Sequence, residues 1–487
     1  MTGASQPLVR LVAGQSVIVG GDRVIEVDEA LAESFAPGDR LAVADGGLIH
    51  LRSVDVGAAD RAVGEAVAAF TRLAECSDAS ITSFFDRAAE LLNDVSIVAR
   101  LTAVNEADVA SALERGRSVT RLRLDARMID DMAAGLRMWA EAPPERDGLL
   151  GTVEHDSWTI ETRRAPLGVV GFVFEGRPNV VVDAAGVLRS GNTAVLRIGS
   201  DALATARAII EHVLQPALTA CGLPAGAVGL VDAESHGAGY ALFSDRRLSL
   251  AVARGSGAAV ASLGSVARSA GVPVSLHGTG GAWMLVADDA PVDRLAAVVE
   301  RSLDRKVCNS LNVCCLPRSR ADELVPVVAG ALVGAAADRP GATVHLTDEA
   351  RSRWPETLSG EVRVESIDVG DLGREWEWED RPEITVHLVD NLEHAVALCN
   401  EHSPRFVVSV ITDDPLTVDA VYGSVDAPFV GDGFTRWVDG QYALQAPELG
   451  LSNWEHGRLL GRSAILSGSS VHTVRHLARF DDPTLHR

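Results

Sequence analysis

Cys308 stands in the run Arg305-Lys306-Val307-Cys308-Asn309-Ser310, where a thiol has cationic neighbours and a polar turn. Such surroundings lower a thiol below the ~8.5 of free cysteine, and the thiolate is the nucleophilic form. Upstream, the apolar stretch Val169 to Phe174 ends in Glu175-Gly176-Arg177-Pro178-Asn179, a polar loop whose proline fixes the chain direction. A loop of this kind can present a cofactor and an amide to a thiol. The two stretches together point to thiol-based acyl chemistry with a dinucleotide; neither does so alone.

Each candidate has a plainer alternative. A free cysteine is usually a small buried hydrophobe. The polar neighbours of Cys308 argue against that, whereas Cys314 and Cys315 fit it within the apolar stretch Leu311 to Leu316. Asn179 is either the N-cap of the following helix or an amide donor to an oxyanion formed at the thiol, and local sequence leaves both open. Gly199-Ser200 and Gly255-Ser256-Gly257 each lie between a strand and a helix. Free N–H groups and the helix dipole hold phosphate at such turns, although short glycine turns also arise for geometric reasons. The segment His277-Gly278-Thr279-Gly280-Gly281-Ala282-Trp283 reads as a tight crossing between two α/β units, with His277 either a base or simply solvated. Arg436, His456 and Arg458 are candidates for an anionic substrate group, against surface solvation.

The elements that must position these groups alternate along the chain. Strands are expected at Val169 to Phe174, Thr193 to Arg197, Ala227 to Val231 and Leu248 to Val252, with helices at Val180 to Leu188, Ala202 to Leu218 and Ala258 to Ala270. This βα alternation implies a parallel, doubly wound sheet with ligands at the carboxyl ends of its strands. A second α/β unit covers Trp283 to about Pro428. Before the first sheet, Val56 to Ala142 has helical periodicity, and 148–165 reads as a β-hairpin. Short β-prone stretches in residues 1–55 (Leu8 to Val12, Ser16 to Val19, Arg40 to Ala44, Leu48 to Leu51) form a small β appendage. The tail from Phe429 is loop-rich and ends in a β-prone piece near Val471 to His476.

At 487 residues, two or three domains are expected. A net charge of -23 argues against a nucleic-acid partner. The longest apolar run, Leu324 to Ala337, is shorter than the ~20 residues of a membrane span. The amino terminus lacks the pattern of a secretory signal. Six cysteines with no CxxC pair suggest neither a disulfide framework nor a metal site, so a reducing, cytoplasmic compartment is expected.

The run from Arg164 to Ala202 resembles the glutamate-5-semialdehyde dehydrogenase (γ-glutamyl phosphate reductase) family of the aldehyde dehydrogenase superfamily. Its Glu175-Gly176-Arg177-Pro178-Asn179 is nearly diagnostic, and Asp183-Ala184-Ala185, Ser190-Gly191-Asn192 and Gly199-Ser200 continue the match. Shorter similarities follow at Arg254-Gly255-Ser256-Gly257, Cys308-Asn309, Thr435-Arg436, Glu448-Leu449-Gly450 and His456-Gly457-Arg458.

The resemblance implies an aldehyde dehydrogenase-like α/β fold, with two doubly wound domains, an oligomerisation hairpin and the N-terminal β appendage. Residues 56–281 would be the dinucleotide-binding domain, with the hairpin at 148–165. Residues 282–428 would be the catalytic domain carrying Cys308, and 429–487 would return to the cofactor and oligomerisation region. Cys308 would form a thioester with an activated acyl group, by default γ-glutamyl phosphate, and Asn179 would stabilise the oxyanion. Arg197, Gly199, Ser200, Gly255 and Ser256 would bind the cofactor, NADPH with NADH left open. Arg177, Asn309, Arg436, His456 and Arg458 would bind substrate, with no metal. A homodimer or homotetramer is implied.

The chain departs from the family at several points. Ile198 stands where the first of two glycines is usual, and Leu303-Asp304-Arg305 replaces Gln-Arg-Pro. Ala282-Trp283 replaces Cys-His, and the stretch Glu401 to Phe406 lacks the usual glycine and acidic residue. Two alternatives follow: a reductase of another acyl phosphate or of a CoA or carrier-protein thioester, or a catalytically lapsed paralogue with a binding role. Hydrolytic aldehyde dehydrogenases activate water with a Glu-Leu-Gly-Gly stretch. The corresponding 277–281 has no carboxylate, which favours the reductive direction.

Overall fold

Consecutive apolar residues build two parallel sheets, one in each of the two units into which the chain divides. The computed structural model describes residues 8–19, 22–44, 46–117, 119–144, 146–355, 360–438, 443–445, 448–452, 454–455, 458–459, 465–467 and 470–486. The first unit comprises Met1–Leu276, Ala446–Leu451 and Ile465–Arg487; the second comprises His277–Gln445 and Ser452–Ala464.

The sheet of the first unit is formed by β1 (Val169–Phe174), β2 (Thr193–Ile198), β3 (Val228–Leu230), β4 (Leu248–Arg254) and β5 (Val274–His277), in the order β5-β4-β1-β2-β3. All six residues of β1 are buried, as expected of a strand covered on both faces. The chain winds from β1 outward through β2 and β3, then returns to β4 on the other side, so the order reverses between β1 and β4. Helix α1 (Val180–Ala185) follows β1, and α2 (Gly257–Ser269) follows β4. The expected helix from Val180 to Leu188 passes into a 3-10 turn at Gly186–Ser190.

In the second unit, β6 (Ala282–Val286), β7 (Leu311–Pro317), β8 (Ala342–Leu346), β9 (Val362–Ser366), β10 (Glu383–Val389), β11 (Val407–Ile411) and β12 (Phe429–Gly431) form a fully parallel sheet. Their order is β9-β8-β10-β7-β6-β11-β12. Helix α3 (Val292–Arg301) turns Leu295 and Val299 into the core between β6 and β7. The stretch after Phe429 was expected to leave this unit. Instead Phe429 and Val430 pair with Val407 and Val408, and the chain stays in the second unit to Gln445.

The hairpin expected at 148–165 is Leu149–His155 with Trp158–Pro166, and His472–Phe480 adds a third antiparallel strand. Near the amino terminus, Ser16–Val19 pairs with Arg23–Glu26, and Arg40–Ala44 with Gly47–Leu51. Leu8 to Val12 is not a strand: Leu11 alone is buried there, packing in a cluster with Val27 and Phe35. Among the described residues no helix is long and apolar enough to cross a membrane.

Candidate active site

At the carboxyl ends of β1 and β4 the first unit has a cavity of about 350 Å3, lined in part by Glu175, Arg197, Gly199, Ser200, Gly255 and Ser256. This is the switch point, where open α/β sheets take their ligands. Gly199 is held to Phe174 O by its N–H at 3.1 Å, and a Cβ there would meet Gly176 N at 2.9 Å. The loop after β1 therefore lies directly on the turn after β2. Ser256 is the N-cap residue of α2 yet makes no side-chain cap bond, so its hydroxyl is not used to close the helix.

Arg197 is buried; its Nη2 donates to Ser235 O at 2.8 Å and Glu234 O at 3.2 Å. Its buried Nε has no hydrogen-bond partner among the described residues, and burial lowers the guanidinium from the ordinary arginine range. A buried cation whose residue lines a cavity beside two glycine turns suits an anionic group such as a dinucleotide phosphate. Arg117 also lines this cavity, with Nη1 2.7 Å from both carboxylate oxygens of Asp201. Nothing in the local sequence around Arg117 singles it out.

Asn179 has helical backbone angles (φ -62°, ψ -28°) and makes no capping hydrogen bond. The N-cap reading is thereby set aside. One helical turn on, Asp183 keeps part of its surface accessible. Packing around its carboxyl nevertheless pushes it up to about 7, with Arg254 and Arg177 opposing and Glu448 reinforcing the rise. Glu448 is itself engaged by Arg254 Nη2 at 2.5 Å. Arg177 is half-buried in the loop before α1, its Nη2 4.0 Å from Glu175 Oε2.

In the second unit Cys308 sits half-buried in the loop between α3 and β7, at the amino end of its sheet. Ser310 braces this loop. Its Oγ donates to Arg305 O at 2.6 Å and accepts from Val307 N at 2.9 Å. Gly281, at φ +100°, donates its N–H to Cys308 O at 2.7 Å. A Cβ on Gly280 would stand 2.7 Å from Cys308 Cα and 2.8 Å from Glu375 Oε1.

Glu375 is the residue that local reading misses. Its Oε2 accepts from Gly280 N at 2.8 Å and its Oε1 from Lys306 Nζ at 2.6 Å. The 277–281 stretch has no carboxylate of its own, but one is supplied to it from residue 375. The loop is carboxylate-free in its own sequence, as expected, and the carboxylate beside it comes from far along the chain. Asn312 fixes this distant segment, donating to Arg374 O at 2.8 Å and accepting from Trp376 N at 2.9 Å. Lys306 did carry a signal: of the 44 lysine and arginine residues in the chain, it is the one lysine.

Asn309 and Arg436, expected at the substrate, are hydrogen-bonded to each other beside the loop that carries Cys308. Asn309 is buried, donates to Val438 O at 2.8 Å, and accepts from Arg436 Nη1. Arg436 Nε donates to Asp304 Oδ1 at 2.7 Å. A short side chain and a fork-shaped cation are thus engaged with each other and with Asp304. His277 packs its ring 4.8 Å from that of Phe406. His456 lies outside the described residues, and Arg458 opens a two-residue strand paired with Trp454–Glu455.

The remaining cysteines of this unit differ from Cys308. Cys314, Cys315 and Cys399 are buried. Burial pushes the thiols of Cys314 and Cys399 up to about 12, and that of Cys315 well above its ordinary value. Such thiols do not ionise near neutral pH and are inert as nucleophiles.

Residues 44–342 match the aldehyde dehydrogenase family model. A gamma-glutamyl phosphate reductase of Pectobacterium carotovorum is 30% identical over 359 residues, covering 72% of this chain and 82% of that protein. One from Moorella thermoacetica is 30% identical over 367 residues, with the same coverage of each chain. Among solved structures, a gamma-glutamyl phosphate reductase from Thermotoga maritima superposes with a TM-score of 0.77 at 22% identity, covering 88% of this chain and 100% of that one. An acetylating aldehyde dehydrogenase from Geobacillus thermoglucosidasius gives 0.61 at 15% identity, covering 90% and 100%. These two structural likenesses establish the fold.

Proposed function

This chain belongs to the gamma-glutamyl phosphate reductase family of aldehyde dehydrogenases, and we propose that it reduces an activated carboxylate to an aldehyde through a thioester on Cys308. Family membership makes it an oxidoreductase and implies a nicotinamide cofactor. The observation that carries the thioester reading is the contrast among cysteines: Cys308 is half-buried in a braced loop, whereas Cys314, Cys315 and Cys399 are buried with raised pKa values.

In this reading the Cys308 thiolate attacks the acyl carbon and phosphate leaves, dividing a difficult step in two. The Asn179 amide and the Cys308 backbone N–H are assigned to the oxyanion, each donor contributing roughly 3 kcal/mol in comparable sites. A bound nicotinamide supplies the hydride. Arg197, Gly199, Ser200, Gly255 and Ser256 are the residues that would hold it. The buried Arg197 at the cavity supports NADPH over NADH, whereas Arg117 beside it is already engaged by Asp201.

γ-Glutamyl phosphate, the substrate named for the curated relatives, is the first choice of acyl donor. One observation favours a second, a different acyl phosphate or a CoA or carrier thioester. Arg436 is engaged by Asp304 and Asn309 and so is not offered to a γ-glutamyl carboxylate.

The test is NADPH oxidation, followed by absorbance, with γ-glutamyl phosphate and a panel of other acyl phosphates and thioesters, and Cys308→Ala as control. Turnover with γ-glutamyl phosphate that is lost in the variant is the expected result. Turnover only with a thioester selects the second reading. No turnover and no cofactor binding would make the chain a lapsed paralogue.

A further inference from the structure

We propose that Lys306 protects the acyl thioester from water: its ammonium holds Glu375 in an ion pair and so keeps that carboxylate from acting as a hydrolytic base. The proposal rests on the reading of Cys308 as the acyl carrier.

Glu375 Oε1 and the Cα of Cys308 pack against the same bare Cα of Gly280. A carboxylate in that place is suited to take a proton from water attacking an acyl group on Cys308. In this protein both of its oxygens are engaged, Oε1 by Lys306 and Oε2 by the Gly280 amide. The ammonium is well placed for the task, since the Lys306 side chain is 6% exposed. A second carboxylate, Glu377, lies 3.8 Å from Nζ but is largely exposed.

The residue type supports the assignment. Every other permanently charged cationic side chain in this chain is an arginine. An arginine fork would engage both oxygens of Glu375 and compete with the Gly280 amide. A lysine is a point donor that occupies one oxygen and leaves the other to the loop.

Removing Lys306 would leave a largely buried carboxylate with a single N–H partner. Oε1, released from the ammonium, would then be open to water as a proton acceptor. Glu375 would then take a proton from water, the hydroxide oxygen would bond to the acyl carbon, and the C–S bond would break. The departing thiolate would take that proton back, giving a carboxylic acid and free enzyme.

The experiment uses p-nitrophenyl acetate with the full chain, reading p-nitrophenol. A burst of about one equivalent, absent in Cys308→Ala, tests the thioester reading by itself. Wild type is expected to turn over slowly after the burst. Lys306→Met is expected to raise the steady rate on the order of 10- to 100-fold, and Lys306→Met with Glu375→Gln to restore the slow rate. Lys306→Gln keeps a donor without the charge and, by the same argument, should give a gain of about 3- to 10-fold. It decides the matter if the methionine variant fails to fold, since burst amplitude counts folded sites. A normal burst with an unchanged steady rate overturns the proposal, and so does a gain that survives Glu375→Gln. No burst in the wild type overturns the thioester reading, and the proposal with it.

Discussion

The amide of Gly281 donates to the carbonyl of Cys308 at 2.7 Å from a backbone with φ +100°. That bond fixes the peptide on which Cys308 stands, and the conformation favours glycine. A Cβ would also meet Asn312 Cβ at 2.9 Å, and Asn312 holds the 374–376 segment. Gly281→Ala combines backbone strain with a clash, together on the order of 1–3 kcal/mol. Reductase kcat is expected to fall about 10- to 100-fold if that strain is relieved by displacing Cys308. Steady-state kinetics beside thermal unfolding check this. Undiminished kcat in a folded variant would show that the bond does not position the thiol.

Asp183 gives the protein a pH dependence. Its folded carboxyl keeps a proton to about 7, while an unfolded aspartate releases it near ~4. Between those values the folded state binds more protons. Stability from this group is therefore fullest below about pH 4 and declines as pH rises through 7. Asp183→Asn should flatten the fall of Tm between pH 5 and 8 and should be the more stable form at pH 8, by roughly 1–2 °C per kcal/mol gained. Parallel Tm curves for the two proteins would contradict the shifted carboxyl.

How much of this was legible beforehand depended on how far apart the cooperating residues lie in the chain. Strand β1 and its Glu-Gly-Arg-Pro-Asn loop could be read directly, because six consecutive apolar residues and a proline-locked turn are local signals. The contrast between Cys308 and the buried Cys314–Cys315 pair was likewise visible in their neighbours. Glu375 was not. It lies far from Lys306 in the chain and reaches Gly280 only because Asn312 pins the chain beside it. The same limit explains Arg436, whose charge suggested an anionic ligand until the fold brought Asp304 and Asn309 to it. The β12 pairing that keeps 429–445 in the second unit depends on a strand partner some twenty residues earlier.

The sheet formed by Leu149–His155, Trp158–Pro166 and His472–Phe480 exposes Leu149, Val153, Leu477 and Phe480. Apolar groups left outward on both faces of one small sheet are candidates for an association surface. The Phe480 ring is already ordered against Trp158, with centroids 5.4 Å apart and planes 2° from parallel. The wild-type chain is expected to run as a dimer or tetramer in light scattering. Val153→Asp with Leu477→Asp should move it to the monomer mass, by burying charge in any contact these residues make. An unchanged mass would place the association surface elsewhere.

Arg436 separates a supporting role from a binding one. Its side chain is 10% exposed and joins Asp304 to the buried amide oxygen of Asn309. Truncation to alanine leaves that oxygen without its cationic donor, a loss of about 1–3 kcal/mol, and frees the residue that follows Cys308. A group that positions Cys308 affects chemistry more than substrate capture, so Arg436→Ala should lower kcat on the order of 10-fold with KM nearly unchanged. Its Tm should fall as well. A substrate ligand would behave in the opposite way, raising KM for an anionic acyl donor while leaving kcat and Tm close to wild type. Measuring both constants with γ-glutamyl phosphate and with an uncharged acyl phosphate decides between the roles, because only a ligand would distinguish the two donors.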